Sequence, residues 1–479
     1  MTIPQSAEVA ILGAGPAGLS AAWELARAGR DELLVIDRHP IPGGLSRTEL
    51  FDGNRFDVGP HRFFTADPEI NALWHELLGD EFLPVQRLTR IFYKKKLFRY
   101  PLEAVDALRN LGLRESVTSM LSYLAARFSA APGEAESFEE WVSGRFGQKL
   151  YETFFKTYTE KVWGIPCREI GAEWAAQRIK GIDLASVVKN AIFKQSVKAK
   201  TLVDEFDYPR HGAGMMYERM WERTTGSRRQ LALRTDVVRL HRDGLRISGI
   251  EVQTPDGGTA RIQPGHVFSS IPLTVMLGML EPAVPEEVSR AVKKLYYRDH
   301  ITVNIVVDGP DLFPDQWIYV HAPDVKMARM ANYTNFSRHM AARPDTSLIS
   351  LEYFVFRGDE LWRKTDADLC ALAMQELQAM QLLPPDRILG SFVTRETESY
   401  PTYFIGFQDA YDTVRRFAAS IENLTCIGRA GLYKYNNMDH SIATGLVAAR
   451  NLLGTAPRGD VWSLNTDGEY QESSRRGRG

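Results

Sequence analysis

The apolar run Val9-Ala-Ile-Leu12 leads directly into Gly13-Ala-Gly15-Pro-Ala-Gly18, then into Leu19–Ala28, a segment of good helix formers. A second apolar run, Leu33–Ile36, ends at Asp37, nineteen residues beyond Gly18. Three spaced glycines alone constrain little. Between a buried strand and a helix, with an acid at this distance, they form the fingerprint of a dinucleotide-binding βαβ unit. Gly13 permits the tight turn, Gly15 lets backbone N–H groups approach a pyrophosphate, and Gly18 lets the helix pack close to the strand. The helix N-terminus then faces two phosphate charges. Asp37 can accept from a ribose 2′-OH, which favours NAD or FAD over NADP.

A chain of 479 residues exceeds what one core supports, so two or more lobes are expected. Hydrophobic residues at 44% and charged residues at 25% exclude a disordered chain, a collagen-like fibre and a coiled coil. With 58 basic and 60 acidic residues, no overall basic field is expected for nucleic acid or an anionic membrane. Cys167, Cys370 and Cys426 are far apart and odd in number. That spacing argues against a disulfide framework and a zinc site and suits the cytoplasm. No His or carboxylate cluster has metal-ligand spacing, so no metal is expected. There is no apolar run of 18 residues and no signal-peptide pattern, so no transmembrane segment is expected.

Residues 66–204 read as mostly helical, with helices over Pro68–Leu78, Leu102–Leu111, Glu115–Phe128 and Phe138–Lys156. Ser137-Phe-Glu-Glu140 opens the last as a capping box. Strands follow at Leu231–Leu240, Gly249–Val252, Ala260–Ile262, 300–307 and 348–355, and His266–Pro272 resembles the strand by which a family of flavoproteins returns to the dinucleotide domain. These patterns give an α/β fold in which residues 1–80, 205–275 and 415–457 form a discontinuous dinucleotide domain. A mainly helical insertion (81–204) and a mixed, strand-rich insertion (276–414) interrupt it. Residues 458–479 are expected to be a disordered tail.

The stretch Arg38-His-Pro-Ile-Pro-Gly43-Gly44-Leu45-Ser46-Arg47 resembles the second glycine motif of the flavoprotein superfamily of amine oxidases, protoporphyrinogen oxidases, phytoene desaturases and UDP-galactopyranose mutases. The resemblance implies FAD in a Rossmann-like, GR2-type domain, with the glycine pair near the pyrophosphate and ribityl chain. Asp57-Val-Gly59-Pro-His61 resembles the loop that places a histidine beside the isoalloxazine. Leu150-Tyr-Glu-Thr-Phe-Phe-Lys-Thr-Tyr158-Thr159-Glu-Lys-Val-Trp163 resembles the signature of the mutases, which amine oxidases do not share. Fifteen residues later stands Arg178, where the mutases place a catalytic arginine. Trp317-Ile-Tyr319 followed by Arg329 resembles the eukaryotic-type pair that holds a diphosphate. Gly428-Arg429-Ala-Gly-Leu-Tyr-Lys-Tyr435-Asn-Asn437-Met438 resembles the C-terminal flavin and diphosphate motif, and Tyr100-Pro-Leu-Glu103 the uracil-site motif.

These motifs imply a cofactor set of Gly13, Gly15, Gly18, Asp37, Arg38, Gly44, Leu45, Ser46, Gly59, His61, Gly428, Asn437 and Met438. They imply catalytic roles for Arg178, Arg329, Arg429 and His61. The substrate would meet Tyr100, Glu103, Tyr158, Thr159, Trp163, Arg178, Trp317, Tyr319, Arg329, Tyr400, Arg429, Tyr435 and Asn437. By resemblance the reaction is pyranose–furanose interconversion of a nucleotide sugar on reduced FAD through a covalent flavin N5–sugar adduct, with NAD(P)H as one source of electrons. Burying a diphosphate needs paired donors, which three fork-shaped arginines supply. Each has an ordinary alternative as an ion pair, His61 as a loop cap, and Trp163 as plain packing. Glu103 replaces the family's glutamine, so either the base is not uracil or Glu103 accepts from uracil N3–H or faces solvent. A flavin oxidoreductase of the amine oxidase or protoporphyrinogen oxidase type is the rival reading, and an inactive sugar-nucleotide binder a third. The sugar and the oligomeric state stay open.

Overall fold

A computed structural model describes residues 3–100, 102, 104–129, 135–179, 205–224 and 226–464. Two large sheets organise them. The first has parallel strands at its centre: Leu33–Ile36 beside Ser6–Leu12, beside the second half of Thr259–Ser269, beside Leu424–Cys426. Gln230–Ala232 extends one edge. The first half of Thr259–Ser269 turns into an antiparallel extension with Arg246–Gln253 and Asp236–Asp243. Val9–Leu12 and Leu33–Ile36 are uninterrupted apolar runs because helices cover both faces of such a sheet. The helices Pro16–Arg27 and Met438–Leu453 lie against each other, and Ser20 Oγ donates to Ile442 O at 3.0 Å.

The second sheet has seven strands, ordered Ile388–Pro401, Tyr297–Asp308, Thr346–Val355, Arg329–Asn332, Trp317–Val320, Thr89–Tyr93 and Lys96–Arg99. Side chains alternate across a strand, so the sheet has two unlike faces. Ile301, Val303, Ile305, Ile349, Leu351, Tyr353 and Met330 pack under helix Asp366–Met380 with Leu369, Ala373 and Leu377. The opposite face carries His300, Thr302, Asn304, Ser350, Glu352 and Arg329, all but Arg329 fully buried.

The stretch 81–204, expected to be mainly helical, opens with strands that the sequence reading did not place. Phe82–Gln86, Thr89–Tyr93 and Lys96–Arg99 are strands. Their partners include Glu205–Pro209 and Trp317–Val320, far away in sequence, and this tertiary pairing overrides local preference. Helices do occupy Ala104–Leu111, Leu113–Ser129 and Phe138–Phe146. The single helix expected over Phe138–Lys156 is interrupted at Gly147 and continues through a π-helical turn, Glu152–Lys156, into Thr157–Trp163. The capping box at Ser137 forms, with Glu140 N donating to Ser137 Oγ. At the C-terminus, residues 458–464 depart from the expected tail: Val461 is buried, and the Lys434 ammonium donates to the Trp462 and Leu464 carbonyls. Residues 465–479 lie outside the described set. Among the described residues no helix is long and apolar enough to cross a membrane.

Gly18 supplies a test of this packing. A Cβ there would lie 1.9 Å from the Gly13 carbonyl oxygen, which is backbone and cannot move aside. Gly18→Ala is therefore expected to destabilise the protein by about 1–3 kcal/mol. Gly144, exposed on a helix with nothing within 4 Å of a Cβ, is the control. Gly144→Ala is expected to stabilise by about 0.5–1 kcal/mol. Urea unfolding of both variants measures the contrast; equal effects would refute the close helix–strand approach.

Candidate active site

Four parallel strands end at one place. Leu12 leads to Gly13, Ile36 to Asp37, Ser269 to Ser270, and Cys426 by way of Ile427 to Gly428. All four of these following residues line a single cavity of about 530 Å3. Ligands in open α/β sheets bind outside the carboxyl ends of such strands. Two helix N-termini reach the same cavity, those of Pro16–Arg27 and Met438–Leu453, since Gly15, Pro16, Asn437 and Met438 also line it. The first of these has no side-chain cap and no acid in its first turn, so its end favours an anion.

The second glycine motif closes over the first. Gly43 N donates to Ala14 O at 2.8 Å, and a Cβ on Gly44 would stand 3.0 Å from Gly15 Cα. Arg47 Nη1 donates to Gly44 O at 3.0 Å, and its guanidinium is ion-paired with Glu49 and with buried Glu396. Asp37 Oδ2 accepts from Ala14 N at 2.7 Å and Oδ1 from His39 N at 2.8 Å. Burial pushes its carboxyl pKa up, against those bonds. Glycine backbone approached this closely, an uncapped helix end and an acid at the end of the second strand fit a flavin dinucleotide. Gly13, Gly15, Asp37, Arg38, Gly44, Leu45, Ser46, Gly59, His61, Gly428, Asn437 and Met438 all line the cavity. Gly18 sits behind it, in the strand–helix contact.

The far wall is the polar face of the seven-stranded sheet. Register places Tyr319 opposite Arg329, Arg329 opposite Glu352, Glu352 opposite Thr302, and Thr302 opposite Thr394. The two residues that the sequence separates by ten are thus direct cross-strand neighbours. Arg329 forks onto Glu352, Nε donating to Oε1 at 2.7 Å and Nη2 bonding Oε2. Glu352 is 1% exposed. Arg429 is held differently. Its Nε donates to Ser399 O at 2.8 Å and Nη1 to Asn436 O at 2.9 Å. Its guanidinium lies 4.4 Å from the Tyr400 ring and 4.0 Å from that of Tyr435. Among the described residues no carboxylate forms an ion pair with it.

His61 lies between these groups, its Nδ1 buried without a hydrogen-bond partner. Burial, then the Arg329 charge, lowers its pKa to about 4, so the ring is neutral at neutral pH. His300, bonded through Nδ1 to Ser399 Oγ, is lowered to about 3 for the same reasons. Burial raises the Tyr400 phenol to about 12 and that of Tyr158 well above its ordinary value. Both remain protonated donors.

Trp317, Tyr319, Arg329, Tyr400, Arg429 and Tyr435 line the cavity beside the cofactor residues. Tyr100 and Tyr158 stand behind them, each edge-on to Tyr319 at 5.2 Å. Trp163 backs Tyr400 and Tyr435 and meets Trp174 at 5.0 Å. Thr159 is buried on the helix between Tyr158 and Trp163 and does not line the cavity. The helix Ala172–Ile179 carries Arg178, whose side chain lies outside the described set, as does Glu103. Sequence reasoning missed Glu352, Arg47, Glu396 and His300. The signal for Glu352 was present: it is the one charged residue in the largely apolar run Leu348–Val355, and a charge on a two-face-buried strand needs a buried partner.

Comparison with known proteins fits this geometry. The fold is that of reduced UDP-galactopyranose mutase, with a TM-score of 0.82 at 20% identity over 97% of this chain and 96% of that one. Putrescine oxidase bound to putrescine superposes less well, with a TM-score of 0.61 at 17% identity over 94% and 99%. Coproporphyrinogen III oxidase of Mycobacterium leprae is 24% identical over 85% of this chain and 90% of its own. dTDP-fucopyranose mutase of Escherichia coli is 26% identical over 34% of this chain and 44% of its own. A probable UDP-galactopyranose mutase of Klebsiella pneumoniae is 27% identical over 34% and 43%. Residues 16–453 match the family profile described as flavin containing amine oxidoreductase, and the chain belongs to that family.

Proposed function

We propose that this protein is an FAD-dependent nucleotide-sugar mutase that interconverts pyranose and furanose forms of a nucleoside-diphosphate hexose. The observation that carries the reading is the cationic wall: two guanidinium forks, Arg329 and Arg429, set among Tyr319, Tyr400 and Tyr435 on the cavity's far side. Fork-shaped donors backed by protonated phenols match a diphosphate, and would be misplaced around an amine cation or a polyene. Bound between the glycine loops and His61, FAD in its reduced form supplies the electron-rich centre that the reaction needs. The chain's own residues do the rest. Arg329, aimed by Glu352, and Arg429, aimed by two carbonyls, hold the diphosphate as it leaves and returns. Trp163 fixes the plane of Tyr400 and Tyr435. Neutral His61 adds no positive charge beside the cofactor and keeps an unpaired ring nitrogen for it. Arg178, Tyr158 and Tyr100 complete the substrate contacts in this reading. NAD(P)H is the proposed reductant, checked by anaerobic bleaching of the flavin absorbance.

A second reading, an oxidoreductase of the amine oxidase or protoporphyrinogen oxidase type, is favoured by the coproporphyrinogen III oxidases that align with most of the chain. The deciding assay incubates dithionite-reduced holoprotein with a panel of nucleoside-diphosphate hexoses. A furanose product is expected; oxygen consumption with a porphyrinogen or amine and no sugar turnover would transfer the assignment.

Three further outcomes are expected. Arg429→Lys keeps the charge but loses the fork, and should lower kcat/KM by about 10–100-fold with the flavin spectrum unchanged. Glu352→Gln should loosen Arg329 and raise KM more than it lowers kcat. The third concerns pH. His300 and His321 are buried and His39 and His61 partly so, and desolvation first, then neighbouring cations, lowers their pKa values to about 3–4. The unfolded chain takes up these protons near pH 6.5 and the folded chain only near 3–4. Stability from these groups is therefore full above about 6.5 and is lost as pH falls towards 4. Thermal midpoints across that range should fall steeply, and a flat profile would contradict the buried neutral imidazoles.

A further inference from the structure

The helix Leu113–Ser129 is turned the wrong way for its sequence. Its inward residues are Ser116, Ser119 and Tyr123. Ser116 satisfies its hydroxyl locally, donating to Gly112 O at 2.8 Å. Its outward residues are Leu113, Val117, Leu121, Leu124 and Phe128, with Leu113 83% and Phe128 89% exposed. Steps of four, four, three and four residues put these five on one face, a stripe about 22 Å long at 1.5 Å per residue. Single exposed leucines are ordinary, but a continuous stripe of large apolar side chains marks an interaction surface. Every other helix with an apolar stripe described above turns it inward, as Asp366–Met380 does.

The rim of this stripe is basic. Arg114 and Arg127 are exposed on the same helix. The hairpin Thr89–Tyr93/Lys96–Arg99 carries Lys94, Lys95 and Lys96 at its exposed tip. Lys94 is ion-paired with Glu115 and Lys96 donates to Asn110 O, which pins the tip against the start of the helix. Residues 93–128 hold seven Lys and Arg against three Asp and Glu, a local excess of +4 in a chain whose overall charge is −2. The near-neutral composition thus conceals the basic field that it seemed to exclude.

We propose that this face docks onto an anionic lipid surface, the helix lying in the interface with its apolar stripe down and the lysine tip against the headgroups. Charge decides between this occupant and a second copy of the chain. A two-fold self-contact sets the same surface against itself, which would bring two basic rims together, whereas an anionic headgroup layer neutralises them. Apolar burial and basic residues together give reversible interfacial binding. No spanning helix is needed, and the proposal is independent of the reaction assigned above.

The test uses the full-length holoprotein and sedimentation with vesicles of phosphatidylcholine alone or mixed with phosphatidylglycerol. Binding is expected to the mixed vesicles only, and added salt should weaken it. Leu121→Asp/Phe128→Asp and Lys95→Glu/Arg114→Glu should each lower partitioning by about tenfold or more. All four positions are exposed, so flavin content and thermal midpoint should not change and will verify folding. No binding by the parent protein overturns the proposal, as does equal binding to neutral vesicles or equal binding by both variants. If Leu121→Asp/Phe128→Asp instead converts a dimer to a monomer in light scattering, and the parent ignores vesicles, the face is a self-interface and the proposal is wrong.

Discussion

A fully buried carboxylate, Glu352, lies beneath Arg329 on the polar face of the seven-stranded sheet, and the cavity is organised around that pair. Removing either partner would strand a charge at a cost of about 3–5 kcal/mol. The pair therefore holds a guanidinium at the cavity wall in a fixed orientation. Tyr319 is placed by the same ladder row. Gly59 lies over the pair, where a Cβ would stand 3.6 Å from Glu352 Oε2. His61, two residues on, is kept neutral partly by the Arg329 charge. One cross-strand contact thus sets a cation, a phenol and a neutral imidazole together.

The cavity is divided by how its charges are supplied. On the dinucleotide side positive potential comes from helix ends and backbone amides, and the ionised groups there are tied down. Asp37 is occupied by two backbone donors, and Arg47 by Glu49 and Glu396. On the sheet side potential comes from side chains. Arg329 is paired charge for charge with Glu352, while Arg429 rests on two carbonyls and two aromatic faces. Both supplies favour an anion: helix ends and backbone amides suit a dinucleotide pyrophosphate, and guanidinium groups suit a phosphate presented from the other side. In the proposed function, that asymmetry separates a cofactor cradle from a substrate anion site within one continuous cavity.

The dinucleotide half was readable because its determinants are local. Strand, glycine turn, helix and acid lie within Val9–Asp37, and Gly18 answers a contact with Gly13 five residues away, although Gly13 and Gly15 face the distant Ser270 and Gly44. Tyr319 and Arg329 were readable as a pair only through the motif they resemble, and the short antiparallel connection between their strands is what makes them neighbours. The strands at 82–99 were not, because their pairing partners lie at 205–209 and 317–320 and their local composition does not require a sheet. In the sequence Arg47 stands out only as part of a motif, and its partner, Glu396, is 349 residues away. The exposed stripe on Leu113–Ser129 was hidden for another reason: helical periodicity shows that a face is apolar but not which way it points.

The central claim is that the sheet-side wall is built for a diphosphate. Calorimetric titration of the holoprotein with a nucleoside, its monophosphate and its diphosphate tests this most directly. The account predicts that the diphosphate binds at least about a hundredfold more tightly than the nucleoside, with the gain abolished when Arg429 is replaced by alanine. Equal affinity across the three, or a gain that survives without Arg429, would contradict it.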